Sequence, residues 1–347
     1  MKMPATLPTG KLRANLLARL LSIFSAGDPR LVLGPGIGQD VAVLDMGERY
    51  LAAKTDPITF ATDEIGWYAV NVNANDVATV GATPRWFLFT LLLPEGSASE
   101  GMVRAIFGQV QRACDDLGVT VVGGHTEVTY DLHRPILVGQ MLGEVEKRCL
   151  ITPTGARPGD HLVLLKGIAI EATALLARER AAWLTARGYD ADFISRCQSF
   201  LHEPGISVVR AASLLVANAR VHAMHDPTEG GLATALHELA TAADVGLLVE
   251  RQRIPVLPEC RRLCADLGLD PLGAIASGAL LAAVDPVSPT DWPAVLAAAG
   301  IPCAIIGQVT PREEGVLLRD GDAVSELPIF PQDEITRIFQ TAPDKIP

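Results

Sequence analysis

The chain has 347 residues, 49% apolar and 20% charged, with a formal net charge of −11 at pH 7. That is a globular composition with material for about two domains, and the lack of a basic run argues against nucleic acid or an anionic membrane as partner. Six cysteines (Cys114, Cys149, Cys197, Cys260, Cys264 and Cys303) are scattered with no CxxC pair and no signal peptide, so a reducing cytoplasm is the expected location.

Residues 11–24 predict an amphipathic helix, interrupted by charge and too short to span a bilayer. The loop Gly34-Pro35-Gly36-Ile37-Gly38-Gln39-Asp40 follows, then short strands at Val41–Leu44 and Tyr50–Lys54. A helix is expected over 64–80, stopped by Gly81 with Pro84 beyond it. Trp86–Leu93 predicts a buried strand, 99–117 a second helix ended by Gly118, Val119–Val122 a strand running into Gly123-Gly124, and Ile136–Val145 another strand. Turn residues at Thr152–Asp160 mark a boundary between domains 1–152 and 153–347. Beyond it, helices are predicted at 170–187, 205–218, 228–243 and 259–267, and strands at 162–165, 246–250, 278–284 and 303–309. Strand pairs beside helices favour an α+β class over a doubly wound sheet.

The stretch His225-Asp226-Pro227-Thr228-Glu229-Gly230-Gly231-Leu232-Ala233 has the form of a capping box. Asp226 would cap, Pro227 would take the first helical position and Glu229 would bond back. The glycine pair then signals close approach of another backbone or of a ligand, leaving two readings: a helix packed tightly on a sheet, or a phosphate site at a helix N-terminus. Helix 64–80 carries Asn71, Asn73, Asn75 and Asp76 among Val70, Val72, Val77 and Val80. Polar side chains on such a helix need partners, a metal or water; an inter-helix or dimer contact would serve as well. Asp40, Asp56 and Asp63 are each ordinary turn or cap aspartates alone, but with Asp76 they could supply hard oxygen ligands for magnesium, and Lys54 beside them could neutralise a phosphate. In Gly123-Gly124-His125-Thr126-Glu127, His125 could donate to phosphate, carry a proton or cap a turn, and Glu127 could join the acidic cluster.

These motifs stand in an order that resembles the superfamily of aminoimidazole ribonucleotide (AIR) synthase, which includes selenophosphate synthetase, thiamine-monophosphate kinase and the hydrogenase-maturation factor HypE. The matching pieces are the glycine-rich loop through Asp40, Thr55-Asp56, Asn75-Asp76-Val77-Ala78 with Gly81–Pro84, Gly123–Thr126, Pro158-Gly159-Asp160, Asp226–Ala233 and Ile275–Leu281. They span roughly residues 34–285, and the second-domain motif is most similar to HypE. The resemblance implies an N-terminal α+β domain pairing strands across a homodimer, a C-terminal α+β domain, and ATP with magnesium in the cleft. It implies ATP-dependent phosphorylation or activation of an oxygen of a small-molecule acceptor. It carries metal binding to Asp40, Asp56 and Asp76, with Glu127 as replacement ligand, and nucleotide contact to Asn75, Gly123, Gly124, Asp226, Thr228, Gly230 and Gly231. His125 and Lys54 are the catalytic candidates. The alternatives are a true AIR synthase or a non-catalytic nucleotide-binding maturation partner. Three departures stand out: the N-terminal loop has no cysteine, as selenophosphate synthetase requires; His125 stands where HypE and the kinase carry an acid; and Thr341–Pro347 lacks HypE's terminal cysteine, so HypE's dehydration of its own carbamoylated tail is not expected.

Overall fold

The computed structural model describes residues 7, 10, 12, 14–24, 27–59, 61, 63–288 and 291–340. Helix α1 (Ala14–Leu21) precedes strands β1 (Leu31–Leu33), β2 (Ala42–Asp45) and β3 (Arg49–Ile58). Helix α2 (Ile65–Thr79), β4 (Thr83–Pro94), α3 (Glu100–Leu117), β5 (Thr120–Thr129) and β6 (Ile136–Glu146) complete the first half. Among the described residues these strands form one sheet in the order β1-β2-β3-β6-β4-β5, antiparallel except for the parallel β4–β5 pair.

Two glycines of β6 let α2 sit low on this sheet. A Cβ at Gly139 would collide with Asn73 Nδ2, and one at Gly143 with Val77 Cγ1. Every residue of α2 except Trp67 is buried as a result, and its polar groups find partners inside: Asn71 Nδ2 donates to Trp67 O at 2.9 Å, and Asn73 Nδ2 to Ala69 O at 2.8 Å.

Strand β5 departs from expectation. It runs through Gly123-Gly124 to Thr129, and every residue before Thr129 is exposed. Val119, just before the strand, is buried, but Thr120–Val122 lies on a sheet edge and not in a covered core strand; an edge awaiting a partner and a core strand carry the same local signal.

The second half contains β7 (His161–Leu165), α4 (Ile170–Glu179), α5 (Ala181–Ala186), α6 (Ala191–Ser199), α7 (Val209–Asn218), β8 (Val221–His225), α8 (Gly231–Ala243) and β9 (Gly246–Glu250). It continues with α9 (Pro258–Asp266), β10 (Leu280–Val284), α10 (Trp292–Ala298), β11 (Cys303–Thr310), β12 (Val316–Asp320), β13 (Ala323–Glu326) and α11 (Thr336–Gln340). The sheet order is β13-β12-β9-β11-β7-β10-β8, with only the β9–β12 pair parallel. The helix predicted over 170–187 breaks at Arg180, and the one predicted from 205 begins at Val209. Helices α6, α10 and α11 and strands β1, β8, β12 and β13 go beyond the elements predicted from the sequence. The helical run 191–218 is long and apolar enough to cross a membrane by composition. Pro204 and the extended backbone of Glu203 break it between α6 and α7, and about half of it is buried, which fits a pair of core helices.

Apolar packing does not stop near residue 152. One buried cluster joins Val43, Ala52, Phe87 and Leu91 of the first half to Ile170, Leu175, Leu201 and Cys260 of the second. Helix α2 touches both α7 and β8, so the halves meet across a shared core, with α2 at the junction.

Candidate active site

The low seat of α2 brings Asp76 over β3, where Lys54 and Asp56 project from one face, two residues apart. Lys54 Nζ lies 3.2 Å from Asp76 Oδ2, 3.4 Å from Asp56 Oδ2 and 3.8 Å from Asp40 Oδ1, the last carried in by the glycine-rich loop. Asp226, just after β8, adds a fourth carboxyl to this group from the second half. Burial alone would lower the Lys54 pKa. The charges of Asp76, Asp56, Asp40 and Asp226 outweigh it and hold the ammonium protonated above the usual lysine range. Burial, and then the neighbouring carboxylates Asp40 and Asp56, push the Asp76 pKa up against the opposing pull of Lys54. Burial, and then Asp76 and Asp40, push Asp226 up as well.

Asp76 Oδ2 and Asp226 Oδ2 are buried and accept no well-aligned hydrogen bond. Asp76 Oδ2 has only the Lys54 ammonium beside it and Asp226 Oδ2 has no hydrogen-bond partner, and buried hard oxygens in a negative cluster fit a divalent cation such as magnesium. Among the described residues, however, no three His, Cys, Asp or Glu side chains are already gathered as a metal-holding group. The carboxylates surround the ammonium and not a common point between themselves.

Two further residues reach this site. His225 Nε2 is 2.8 Å from Glu238 Oε2, and its Nδ1 is 3.8 Å from Asp40 Oδ2. The imidazole thus links helix α8 to the glycine-rich loop of the other half. Gly38 of that loop lies against α8: a Cβ there would be 3.2 Å from Glu238 O. His225 adjoins Asp226 in sequence, whereas nothing local marks Glu238.

The remaining candidates are placed differently. Asp63 pairs with Arg178 at 2.6 Å, away from the cluster. Asn75 is fully buried, donates to Ile206 O at 2.8 Å and accepts from Val208 N at 2.8 Å. Its amide therefore clamps the two halves together instead of facing a nucleotide. Lys166 secures the same turn by donating to the carbonyls of Gly205 and Ser207.

The capping box does not form. Asp226 is withdrawn into the carboxylate cluster, and α8 begins at Gly231 after a left-handed Gly230. The N–H of Gly230 donates to Asp333 Oδ2 at 2.7 Å, and that of Gly231 to Thr228 O at 2.9 Å. Both donors expected to hold phosphate are thus spent within the chain. Gly231 adopts φ +64°, and a Cβ there would lie 2.5 Å from Leu272 O and 2.7 Å from Ala274 O, so of the two readings of the glycine pair, close approach of backbone is the one realised. Asp333 also accepts from Ile275 N and Ile335 N, tying the α11 region to this loop.

On β5, His125 Nε2 sits 3.2 Å from Glu127 Oε2, with both side chains exposed. Strands β6 and β4 separate them from β3, about 14 Å at the usual inter-strand spacing. Within one chain Glu127 is therefore no ligand of the aspartate cluster, and His125 does not reach Lys54. Gly124 is packed against the carbonyl of Phe89, which a Cβ would overlap, while a Cβ at Gly123 would have Leu88 Cδ2 at 3.8 Å. Asp160 serves its turn, accepting from Arg157 N at 2.9 Å and lying 2.9 Å from His222 Nδ1. Cys303 heads β11, partly buried, with its thiol pKa pushed up by burial. Residues 341–347, where the terminal cysteine of HypE would be sought, lie outside the described residues.

Comparison with known proteins agrees with this architecture. A HypE carbamoyl dehydratase from Cupriavidus necator is 30% identical over 279 residues, which covers 79% of this chain and 75% of the relative. A putative hydrogenase expression/formation protein of Methanocaldococcus jannaschii is 28% identical and covers 87% of this chain and 90% of its own. Among solved structures, hydrogenase maturation protein HypE in complex with ATP aligns with a TM-score of 0.70 at 26% identity, over 94% of this chain and 97% of that one. The N-terminal domain model of AIR synthase related proteins matches residues 38–145 and the C-terminal domain model matches 157–319, and on these matches the chain belongs to the AIR synthase related family.

Proposed function

We propose that this chain is a soluble, cytoplasmic, homodimeric enzyme that uses magnesium and ATP to phosphorylate, or to activate through phosphate, an oxygen of a small-molecule acceptor. The observation that carries the reading is the convergence of Asp40, Asp56, Asp76 and Asp226 on Lys54 at the junction of the two halves. Asp40, Asp56 and Asp76 would hold magnesium, whose contribution is to neutralise charge on the phosphate oxygens. The names of the relatives support ATP use and oxygen activation: one is a carbamoyl dehydratase and a structural relative is complexed with ATP.

The chain's own residues position and neutralise, which is most of what phosphoryl chemistry asks of a protein. Lys54, itself largely buried, supplies fixed positive charge to the site. Asn75 holds α2 in register with the second half, keeping Asp76 on the cluster. His225 pins the loop that bears Asp40. The exposed edge β5 offers Gly123, Gly124, His125 and Glu127 to a second copy. Pairing there would let His125 act across the dimer as a hydrogen-bond donor to phosphate or a proton carrier, in place of the family's acidic residue.

The test is ADP release from ATP by the purified chain, with magnesium and with EDTA, over a panel of amide, hydroxyl and phosphate acceptors. Magnesium-dependent turnover raised by one acceptor class is the expected result. Tight ATP binding without release under any acceptor would make the chain a nucleotide-binding partner without catalysis.

A further inference from the structure

We propose that the Lys54 ammonium is a built-in cation that fills one cation position among Asp40, Asp56, Asp76 and Asp226, so that a chain lacking it takes up one more divalent ion there. This rests on the reading of the cluster as a metal–ATP site. Lys54 is only 9% exposed, and its Nζ stands 3.2, 3.4 and 3.8 Å from three different carboxylates. That is the placement of a small cation shared among ligands, not of a lysine committed to one ion pair. The acids splay around it, and no three of them share a metal-holding point.

One ammonium does not satisfy the cluster. Four carboxyls face one positive charge, and Asp226 Oδ2, on a residue 1% exposed, still has no hydrogen-bond partner. Negative charge therefore remains for an exchangeable divalent ion to balance beside the tethered one. A tethered charge differs from a metal in two ways: it cannot leave with product, and it brings no coordinated water. A nucleotide in this site would meet a permanent single charge where a second divalent ion could otherwise sit.

The test counts bound Mn2+ by electron paramagnetic resonance of the free ion. It uses the full chain and its Lys54→Met and Lys54→Arg variants, each with and without a non-hydrolysable ATP analogue. Lys54→Met should bind one more Mn2+ per chain than the wild type, and Mn2+ should raise its thermal midpoint more. Lys54→Arg should keep the wild-type count. A folded Lys54→Met that binds the same number or fewer would overturn the proposal, and Lys54→Gln takes its place should the methionine variant not fold. Failure of the wild type to bind the ATP analogue with Mn2+ would sink the functional reading separately, because the comparison with Mn2+ alone still decides the role of the lysine.

Discussion

Asn75 and Asp76 are chain neighbours with opposite duties. The Asn75 amide satisfies two backbone groups, Ile206 O and Val208 N, in a site without water. Asn75→Ala leaves both unpaired, at about 1–3 kcal/mol each. Urea unfolding should show a loss of roughly 2–5 kcal/mol, and a loss under about 1 kcal/mol would dismiss the clamp. Asp76→Asn keeps shape and removes charge. Nucleotide affinity with magnesium should fall at least about tenfold while affinity in EDTA stays the same; unchanged affinity with magnesium in the folded variant would remove Asp76 from the metal site. Both residues stand out in the sequence, because polar side chains on an apolar helix demand partners. Their separate roles do not. Helical geometry sets them about 100° apart, and the partners of Asn75 come from more than 130 residues away.

The start of α8 shows where local reading fails at the scale of an element. Asp-Pro-Thr-Glu matches a capping box in every residue, yet Asp226 serves the cluster and Asp333, from another part of the chain, takes the Gly230 N–H. A carboxylate arriving from about a hundred residues downstream leaves no local trace. Strand β5 gives the complementary case: its existence is legible from its β-branched run, its exposure is not, because a lone chain does not show what covers an edge. The glycine pair was the sounder signal, since it marks a close approach whatever the partner. Gly231→Ala should therefore cost more than a helix-start substitution ordinarily does. Its left-handed φ would be strained, and its new methyl would press on the Leu272 and Ala274 carbonyls. Roughly 2–4 kcal/mol of lost stability is expected by denaturant titration. A Gly231→Ala variant as stable as wild type would show that the loop yields and does not pack as described.

For the molecule as a whole, two measurements bear on assembly and on the buried acids. Strand β5 leaves one edge unpaired and exposes Val122, Val128 and Tyr130, with Phe107 of α3 also exposed. Light scattering over a dilution series should give a dimer mass that the Val122→Glu/Val128→Glu double variant loses; a wild-type monomer at every concentration would refute pairing at this edge. The second measurement concerns pH. Glu171 is buried at the start of α4, where its Oε2 accepts from Ser277 N at 3.2 Å. Burial first, and the nearby charges of Asp333 and Glu229, raise its pKa to about 7, against hydrogen bonds from Ser277 that lower it. Asp333 is raised by burial to about 6. A carboxyl whose folded pKa lies above its unfolded value contributes stability that is complete below the unfolded value and is lost as pH rises through the folded one. Both groups therefore predict falling stability from about pH 4.5 to about pH 7.5. The exposed Asp28 and Asp45, whose pKa values are lowered by Arg30 and Lys147, act in the opposite sense and only below that window. Urea midpoints in EDTA should be higher near pH 5.5 than near pH 8. Glu171→Gln should flatten that slope, because glutamine still accepts from Ser277 N and no longer titrates. A variant whose midpoints run parallel to wild type across the window would show that Glu171 is not the group that titrates there.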